Sequence, residues 1–137
     1  MYLKWLGRAV WQVVAVADDR GLSLDQELRS LGRSESSAEA MLATLEEIVP
    51  LHGPPVHNKT KCRPLGNDIF EFKVGRLRVL WFYDAGEPVI RRLIVCSHLF
   101  LKQSRKTPRR EIDKAAVTRE AYLEAKRRGD LKVALGD

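Results

Sequence analysis

The sequence lacks long apolar stretches and is poor in cysteine. No uninterrupted apolar run approaches the ~18 residues of a membrane-spanning helix, and the N-terminus has no apolar stretch that ends in a small-residue cleavage site. We therefore expect neither a transmembrane segment nor a signal peptide. Cys62 and Cys96 are isolated and form no CxxC pair. They predict two reduced thiols in a cytoplasmic protein rather than a disulfide or a metal site.

The sequence also lacks the HExxH and paired-carboxylate motifs that hold catalytic metal ions, so we predict no metal and no cofactor. What is present is 137 residues, 45% of them hydrophobic and 31% charged. This composition is typical of a globular protein. The length predicts one domain over residues 1–137, with a core of about 8–128 that needs no disulfide or metal to fold.

Positive charge is concentrated in the second part of the chain. Residues 1–56 carry a net charge of −3 and residues 57–137 a net charge of +9, which together make the total of +6. The segment 102–110 alone contains five cations and no acidic residue. A basic half predicts a polyanionic partner, with nucleic acid first. A solvated basic helix face without a function is the alternative that charge leaves open.

The first part of the chain predicts a strand followed by two helices. The β-branched, apolar run 9–17 predicts the strand. Ser23 and Gln26 have the spacing of a capping box, and the short helix that follows is predicted to end at Gly32.

The second helix has the clearest helical periodicity in the sequence. Ser36 and Glu39 predict a second capping box, and apolar residues then recur at i, i+3, i+4 and i+7. Pro50 and Gly53 are expected to end this helix. Residues 50–64, rich in proline, predict a loop.

From residue 69 the hydrophobic period changes to two, which predicts three antiparallel strands, Ile69–Val74, Leu77–Asp84 and Val89–Ser97. The pair Gly75-Arg76 suits a type II′ turn, because glycine comes first. Thr107 as N-cap and Pro108 as first residue predict a last helix that runs to about Arg128.

This turn divides the hairpin side chains between two faces. One face is apolar and is predicted to form the core under the two helices: Phe70, Phe72, Val74, Leu77, Val79 and Trp81. The other is amphipathic: Ile69, Glu71, Lys73, Arg78, Leu80 and Phe82. Lys73 faces Arg78 there, and two opposed cations repel unless an anion lies between them. Glu71 and an RNA phosphate are both candidates for that anion, and the hairpin geometry leaves the choice open.

Three segments resemble one family of toxins. Residues 64–72 (PLGNDIFEF) resemble its "LGxGLYEL" segment, residues 75–82 (GRLRVLWF) its "GRIRVLYF" strand, and residues 100–112 its "FVKKTQKTPxxEI" ending. The family is the phage Gp49-like/HigB-like branch of the RelE/ParE toxin superfamily. The resemblance implies a RelE-like α+β fold, in which an N-terminal strand and a helical hairpin pack on a twisted antiparallel β-sheet, with a C-terminal helix added.

The same resemblance implies a function. RelE-like members enter the ribosomal A site and cleave mRNA there, and HigB-like members pair with a helix-turn-helix antitoxin. The chain is therefore expected to be the toxin of a type II toxin–antitoxin system, a ribosome-dependent mRNA endonuclease of the cytoplasm that needs no metal and has a HigA-like antitoxin as partner. Two alternatives stay open: a ParE-like inhibitor of DNA gyrase, and a nuclease-inactive phage or prophage accessory protein that binds nucleic acid or an antitoxin.

Cleavage of RNA through its own 2′-hydroxyl needs a base, an acid and cations for the charge of the transition state. By the resemblance, Arg78 binds the scissile phosphate, where its planar fork can hold two oxygens. The catalytic candidates are Arg78, Lys73, Glu71 and His98, of which Glu71 and His98 are candidate bases. The candidates for binding RNA phosphates are Arg63, Lys61, Arg76, Lys102, Arg105 and Lys106. Of these, Lys102, Arg105 and Lys106 are also candidates for the acid.

Overall fold

The computed structural model describes residues 1–18 and 20–134 and shows an α+β architecture; Asp19 and residues 135–137 lie outside the description. Within the described part, a seven-stranded sheet is formed by β1 (Tyr2–Arg8), β2 (Gln12–Val16), β3 (Cys62–Gly66), β4 (Ile69–Val74), β5 (Leu77–Tyr83), β6 (Leu93–Leu101) and β7 (Lys132–Ala134). The helices are α1 (Leu24–Leu31), α2 (Ala38–Ala43), α3 (Val49–His52) and α4 (Arg109–Arg128). A 3₁₀ turn (Gly32–Ser34) follows α1, and a π turn (Thr44–Ile48) joins α2 to α3.

The sheet is mixed, with the strand order β3-β4-β5-β6-β2-β1-β7. The β4–β5–β6 meander is antiparallel, as predicted. The expectation of an antiparallel sheet throughout is wrong, because β2 pairs parallel to β6 and β1 parallel to β7. The hydrophobic period of a strand reports which face is buried and carries no information about the direction of its neighbour.

Some strand boundaries also differ from those predicted. The N-terminal strand of the prediction is β2, and β1, β3 and β7 were not predicted. The third predicted strand starts four residues late, at Leu93 rather than Val89. The reason lies in the loop before it: the Asp84 carboxylate accepts a hydrogen bond from the Ile90 amide at 2.6 Å, and Arg92 has a φ of 58°. A residue in the left-handed region ends extended pairing.

The β4–β5 hairpin has the predicted register, with Val74 opposite Leu77 and Lys73 opposite Arg78. Gly75 has a φ of 57° and Arg76 has no positive φ, which fits the predicted type II′ turn. A side chain at Gly75 would also collide with the Ser37 hydroxyl at the start of α2.

Each face of the sheet is covered by helices. The predicted apolar face packs against α1, α2 and the π turn, through Leu28, Met41 and Leu45 respectively. The opposite face is not simply amphipathic. Its half near Ile69, Leu80 and Phe82 is buried under α4, which contributes Ala115 and Tyr122. Only the half of this face near the Gly75 turn remains for polar residues.

The helix boundaries confirm one capping box and reject the other. Ser23 and Gln26 form the predicted box at α1, where the Ser23 amide donates to the Gln26 side chain at 2.9 Å. The second box is wrong, because α2 begins at Ala38 with Ser37 as its N-cap and has no side-chain cap. Helical winding also continues past Pro50 to His52 and ends at Gly53.

The start of α4 departs from the prediction as well. Pro108 is the N-cap and Thr107 lies before it, so Thr107 is not the cap. The end is as predicted, at Arg128, followed by Gly129 with a left-handed φ of 73°. No helix in the described residues is long and apolar enough to cross a membrane. The extent of a single domain over 1–137 stays a prediction.

Candidate functional site

Strand pairing gathers the predicted site residues at one end of the sheet. On the face that α4 partly covers, Lys73 of β4, Arg78 of β5 and Phe100 of β6 lie side by side. The next row toward the centre of the sheet consists of Arg63, Glu71, Leu80 and His98, from β3, β4, β5 and β6. Residues 5 to 35 positions apart in the chain are thus brought into two rows on one face, which the two-residue period of a strand ensures once the pairing is set.

Arg78 is buried and held in one orientation. It is 7% exposed, and its Nη1 donates to the carbonyl oxygens of Gly75 at 2.7 Å and Leu77 at 2.8 Å. Its Nε is buried without a hydrogen-bond partner in the described residues. Burial lowers the pKa of Arg78, and the nearby Glu71 charge opposes that shift. An arginine fixed by its own turn keeps donors free for a bound anion.

Glu71 is the anion at the centre of the cluster. Its side chain is fully buried, and each carboxylate oxygen has one partner: Arg63 Nε donates to Oε1 at 2.7 Å, and Thr107 Oγ1 donates to Oε2 at 2.7 Å. Its charge acts to raise the pKa of Arg78, but within the described residues its ion pair is with Arg63 and not with Lys73 or Arg78. A carboxylate so occupied is poorly placed to take a proton from a substrate hydroxyl.

An open cavity of about 660 Å³ lies beside the hairpin turn. Four of the predicted cations line it: Arg76, Arg78, Lys102 and Arg105. The lining also includes three residues that were not predicted for the site: Gly75, Gln103 and Ser104. Burial lowers the pKa of Lys102, and the positive charges of Arg78 and Arg63 lower it further. A lysine with a lowered pKa is a better proton donor than an ordinary one.

Two other cations border a separate groove. Lys61 and Lys73 line a concavity of about 500 Å³ whose remaining wall is mostly apolar, including Ala40, Ala43 and Val74. The Lys73 ammonium donates to the Lys59 carbonyl oxygen at 3.1 Å. Lys73 is nevertheless paired across the hairpin with Arg78, so it borders the groove and the cation cluster.

His98 lies apart from the cavity. It is in the middle of β6, not at the end of a strand as expected, and is 8% exposed. Ser97 Oγ lies 2.9 Å from its Nδ1, and Glu111 Oε1 of α4 lies 3.7 Å from its Nε2. Burial, and then the charge of Lys114, lower its pKa to about 4. Its imidazole is therefore neutral at pH 7. It faces the first turn of α4 rather than the cavity.

Besides missing the three unpredicted lining residues, sequence reasoning assigned Thr107 the wrong role. Thr107 was predicted as a helix cap, whereas its hydroxyl bonds Glu71 across 36 positions of sequence. No local signal marks this contact. Lys106, which was predicted to bind phosphate, is exposed and does not line the cavity. Arg76 lines it and also pairs with Glu35 at 3.1 Å.

The arrangement is suited to holding a polyanion. Within the described residues, no group of three or more His, Cys, Asp and Glu side chains is placed to hold a metal ion. The cavity instead presents guanidinium and ammonium groups around a concave surface, where they can bind phosphate oxygens and stabilise added negative charge. The described residues that line the cavity include no carboxylate or imidazole.

A protein-family model matches more than half of the chain. The model of a family described as "Phage derived protein Gp49-like" matches residues 26–120. The matched region runs from α1 into α4 and contains every predicted site residue. A search of curated proteins finds no significant match.

Proposed function

Because the chain belongs to the family of phage-derived Gp49-like proteins, which is part of the RelE/HigB-like toxin superfamily, we propose that it is a ribosome-dependent mRNA endonuclease. The family itself suggests a toxin of a toxin–antitoxin system with an antitoxin as partner. The finer proposal adds the reaction, which is metal-free cleavage of mRNA by its own 2′-hydroxyl, and the substrate, which is mRNA on the ribosome.

The observation that carries this proposal is the cation cluster in the open cavity. Arg78 is preorganised by two backbone carbonyls, and Lys102 and Arg105 face the same space from the segment after β6. A scissile phosphate in that space gains charge in the transition state, and fixed donors stabilise it without having to reorganise. Lys102 lines the cavity and has a lowered pKa, and we propose it as the acid that protonates the leaving 5′-oxygen.

The general base is not supplied by the residues first considered for it. Glu71 has both oxygens engaged, and the His98 imidazole points to Glu111 rather than to the cavity. We propose that Arg78 and Lys102 are the principal catalytic residues, with Arg63 and Lys73 as supporting charges. Activation of the 2′-hydroxyl then falls to the ribosome-bound substrate or to solvent, since the described residues that line the cavity include no carboxylate and no imidazole.

The partners follow from the same proposal. A ribosomal substrate requires that the chain acts in the cytoplasm, and a RelE-like fold accounts for the order of hairpin, meander and C-terminal helix. An exposed basic cavity in such a toxin needs to be covered or neutralised when growth is to continue. A helix-turn-helix antitoxin of the HigA-like type is the partner we propose for that role.

The test is induction of the chain in bacteria with mapping of mRNA 5′ ends. We expect growth arrest and new 5′ ends inside translated codons for the wild type. Arg78→Ala should lower cleavage by at least ~10²-fold, because it removes a fixed donor to the transition state. Arg78→Lys should restore only part of it, since an ammonium lacks the planar fork. Arg119→Ala is the matched control, as Arg119 is a partly buried arginine of α4 outside the cavity.

Other outcomes of this test would reject either the site assignment or the endonuclease itself. Undiminished cleavage by a folded Arg78→Ala variant would refute the site assignment. Growth arrest with intact mRNA and a DNA-damage response would favour a gyrase inhibitor, which the absence of a base in the cavity lining makes the second candidate. Absence of arrest with a folded protein would favour an accessory protein that binds nucleic acid or an antitoxin.

A further inference from the structure

The segment between β6 and α4 borders the cation cavity; we define residues 102–106 as the strap, of which residues 102–105 line the cavity. Its first residue is tied to the hairpin turn, because the Lys102 amide donates to the Arg76 carbonyl oxygen at 2.8 Å. Within the strap, Ser104 Oγ donates to the Lys106 carbonyl oxygen at 2.9 Å. Residues 103–106 are exposed, so the strap has no hydrophobic packing to hold it against the sheet.

The second attachment of the strap is Thr107. This side chain is 8% exposed, and its hydroxyl donates to Glu71 Oε2 at 2.7 Å. The acceptor is a fully buried carboxylate, and hydrogen bonds to ionised acceptors are roughly twice as strong as neutral ones. Arg63 engages the other oxygen of Glu71 and fixes its orientation.

We propose that Thr107 is a positioning residue: its hydroxyl, bonded to Glu71, keeps the strap closed so that Lys102 and Arg105 face the phosphate held by Arg78. The inference rests on the proposed RNA-cleaving function for the identity of that phosphate. It assigns Glu71 the role of an anchor rather than a base. A threonine at this position is thus needed for its hydroxyl and not as a helix cap, since Pro108 is the N-cap of α4.

Opening of the strap is measurable without any substrate. The strap contains three sites for trypsin, after Lys102, Arg105 and Lys106. Thr107→Val keeps the shape of the side chain but removes the donor, and we expect about tenfold faster cleavage after Arg105 and Lys106 because opening becomes more populated. Thr107→Ser keeps the hydroxyl and should show the wild-type rate. Thr118→Val is the matched control, because Thr118 Oγ1 bonds only the Lys114 carbonyl within α4.

The kinetic consequence is measured with purified ribosomes and mRNA. Thr107→Val should lower kcat/KM about tenfold, mainly through a higher KM, because substrate has to draw on a smaller closed fraction. Thr107→Ser should restore the wild-type KM. A threonine that serves stability alone would lower the melting temperature without changing KM or the tryptic cleavage of the strap.

The outcomes separate this inference from the proposed function. A strap equally protected in wild type and Thr107→Val would overturn it, and so would an open strap with an unchanged KM. If the wild type cleaves no mRNA, the endonuclease fails, and affinity for a labelled single-stranded RNA replaces KM. A folded Thr107→Val variant that binds this RNA as tightly as Thr107→Ser would then overturn the inference.

Discussion

The Glu71 carboxylate shows how burial changes the role of a residue. A glutamate beside Lys73 and Arg78 on a strand face is a candidate base when only its neighbours in sequence are considered. In the structure it is fully buried with one donor on each oxygen, Arg63 and Thr107. A buried charge needs such partners to be tolerated at all. The residue therefore joins β3 to the segment before α4, and its removal would leave Arg63 without this ion pair and the Thr107 hydroxyl without its acceptor.

His98 provides a pH-dependent prediction at the residue scale. Its folded pKa of about 4 lies below the ordinary value of 6.5, through burial and the Lys114 charge. The unfolded chain therefore binds the proton more readily, so stability from this group is present above pH 6.5 and is lost as the pH falls from 6.5 through 4. NMR of the His98 ring should show no titration between pH 8 and pH 6.

Two variants check the cause of this shift. Lys114→Gln removes the second contribution and should raise the pKa of His98, whereas Arg127→Gln removes a charge at the far end of α4 and should leave it unchanged. His98→Gln identifies the signal. A titration centred near pH 6.5 in the wild type would contradict the buried, neutral imidazole.

At the scale of elements, one helix continues where the sequence predicts its end. Pro50 has no amide proton to give to the Glu46 carbonyl, and the helix accommodates it by widening into the π turn before α3. This winding brings the helix against β1. A Cβ at Gly7 would lie 2.6 Å from the Glu46 carbonyl oxygen and 2.5 Å from Pro50 Cγ, so only glycine fits there.

The attachment of α4 to the sheet gives an element-scale prediction. Tyr122 donates its hydroxyl to Asp84, and Lys126 donates to the same carboxylate at 2.7 Å. Tyr122→Phe leaves one buried oxygen of Asp84 without its partner and should lower the free energy of unfolding by ~1–3 kcal/mol. Urea denaturation measures this.

Tyr2→Phe is the control for that variant, because Tyr2 is 59% exposed and its hydroxyl has no partner in the described residues. It should leave the unfolding free energy within ~0.5 kcal/mol of the wild type. If both variants had the same stability, the hydroxyl of Tyr122 would not be what fastens α4 to β5.

At the scale of the whole molecule, part of the positive charge in the second part of the chain gathers at one end of the sheet. Arg76, Lys102 and Arg105 meet at the hairpin-turn end of the sheet. Arg91 and Arg92 instead lie in the turn before β6, at the opposite end of that strand. The net charge alone does not distinguish these two ends, whereas the structure places these three cations around one cavity at the hairpin-turn end.

The salt dependence of RNA binding tests which of the two ends of the sheet contacts the RNA phosphates. For a labelled single-stranded RNA, the slope of log affinity against log salt should fall in magnitude by ~0.7 in Arg105→Gln, since one phosphate contact is lost. Arg91→Gln removes the same charge from the other end and should keep the wild-type slope. Equal slopes for the two variants would mean that the charge acts diffusely rather than in the cavity.

Local pattern alone determined much of this protein. The strands β4 and β5, the Gly75 turn and the register that opposes Lys73 to Arg78 follow from a two-residue period and one glycine. The bounds of α1 and the end of α4 follow from capping residues. Each of these depends on interactions within a few residues, which the sequence displays directly.

The tertiary structure decided the rest, because it depends on contacts between distant segments. The parallel pairing of β2 with β6, the cover that α4 provides for half of one face and the bond from Thr107 to Glu71 all join residues far apart in the chain. Such contacts also determine which of the predicted cations share one cavity. The same contacts then determined the chemistry of the site. Arg63 engages the Glu71 carboxylate, and burial lowers the pKa of His98 and of Lys102.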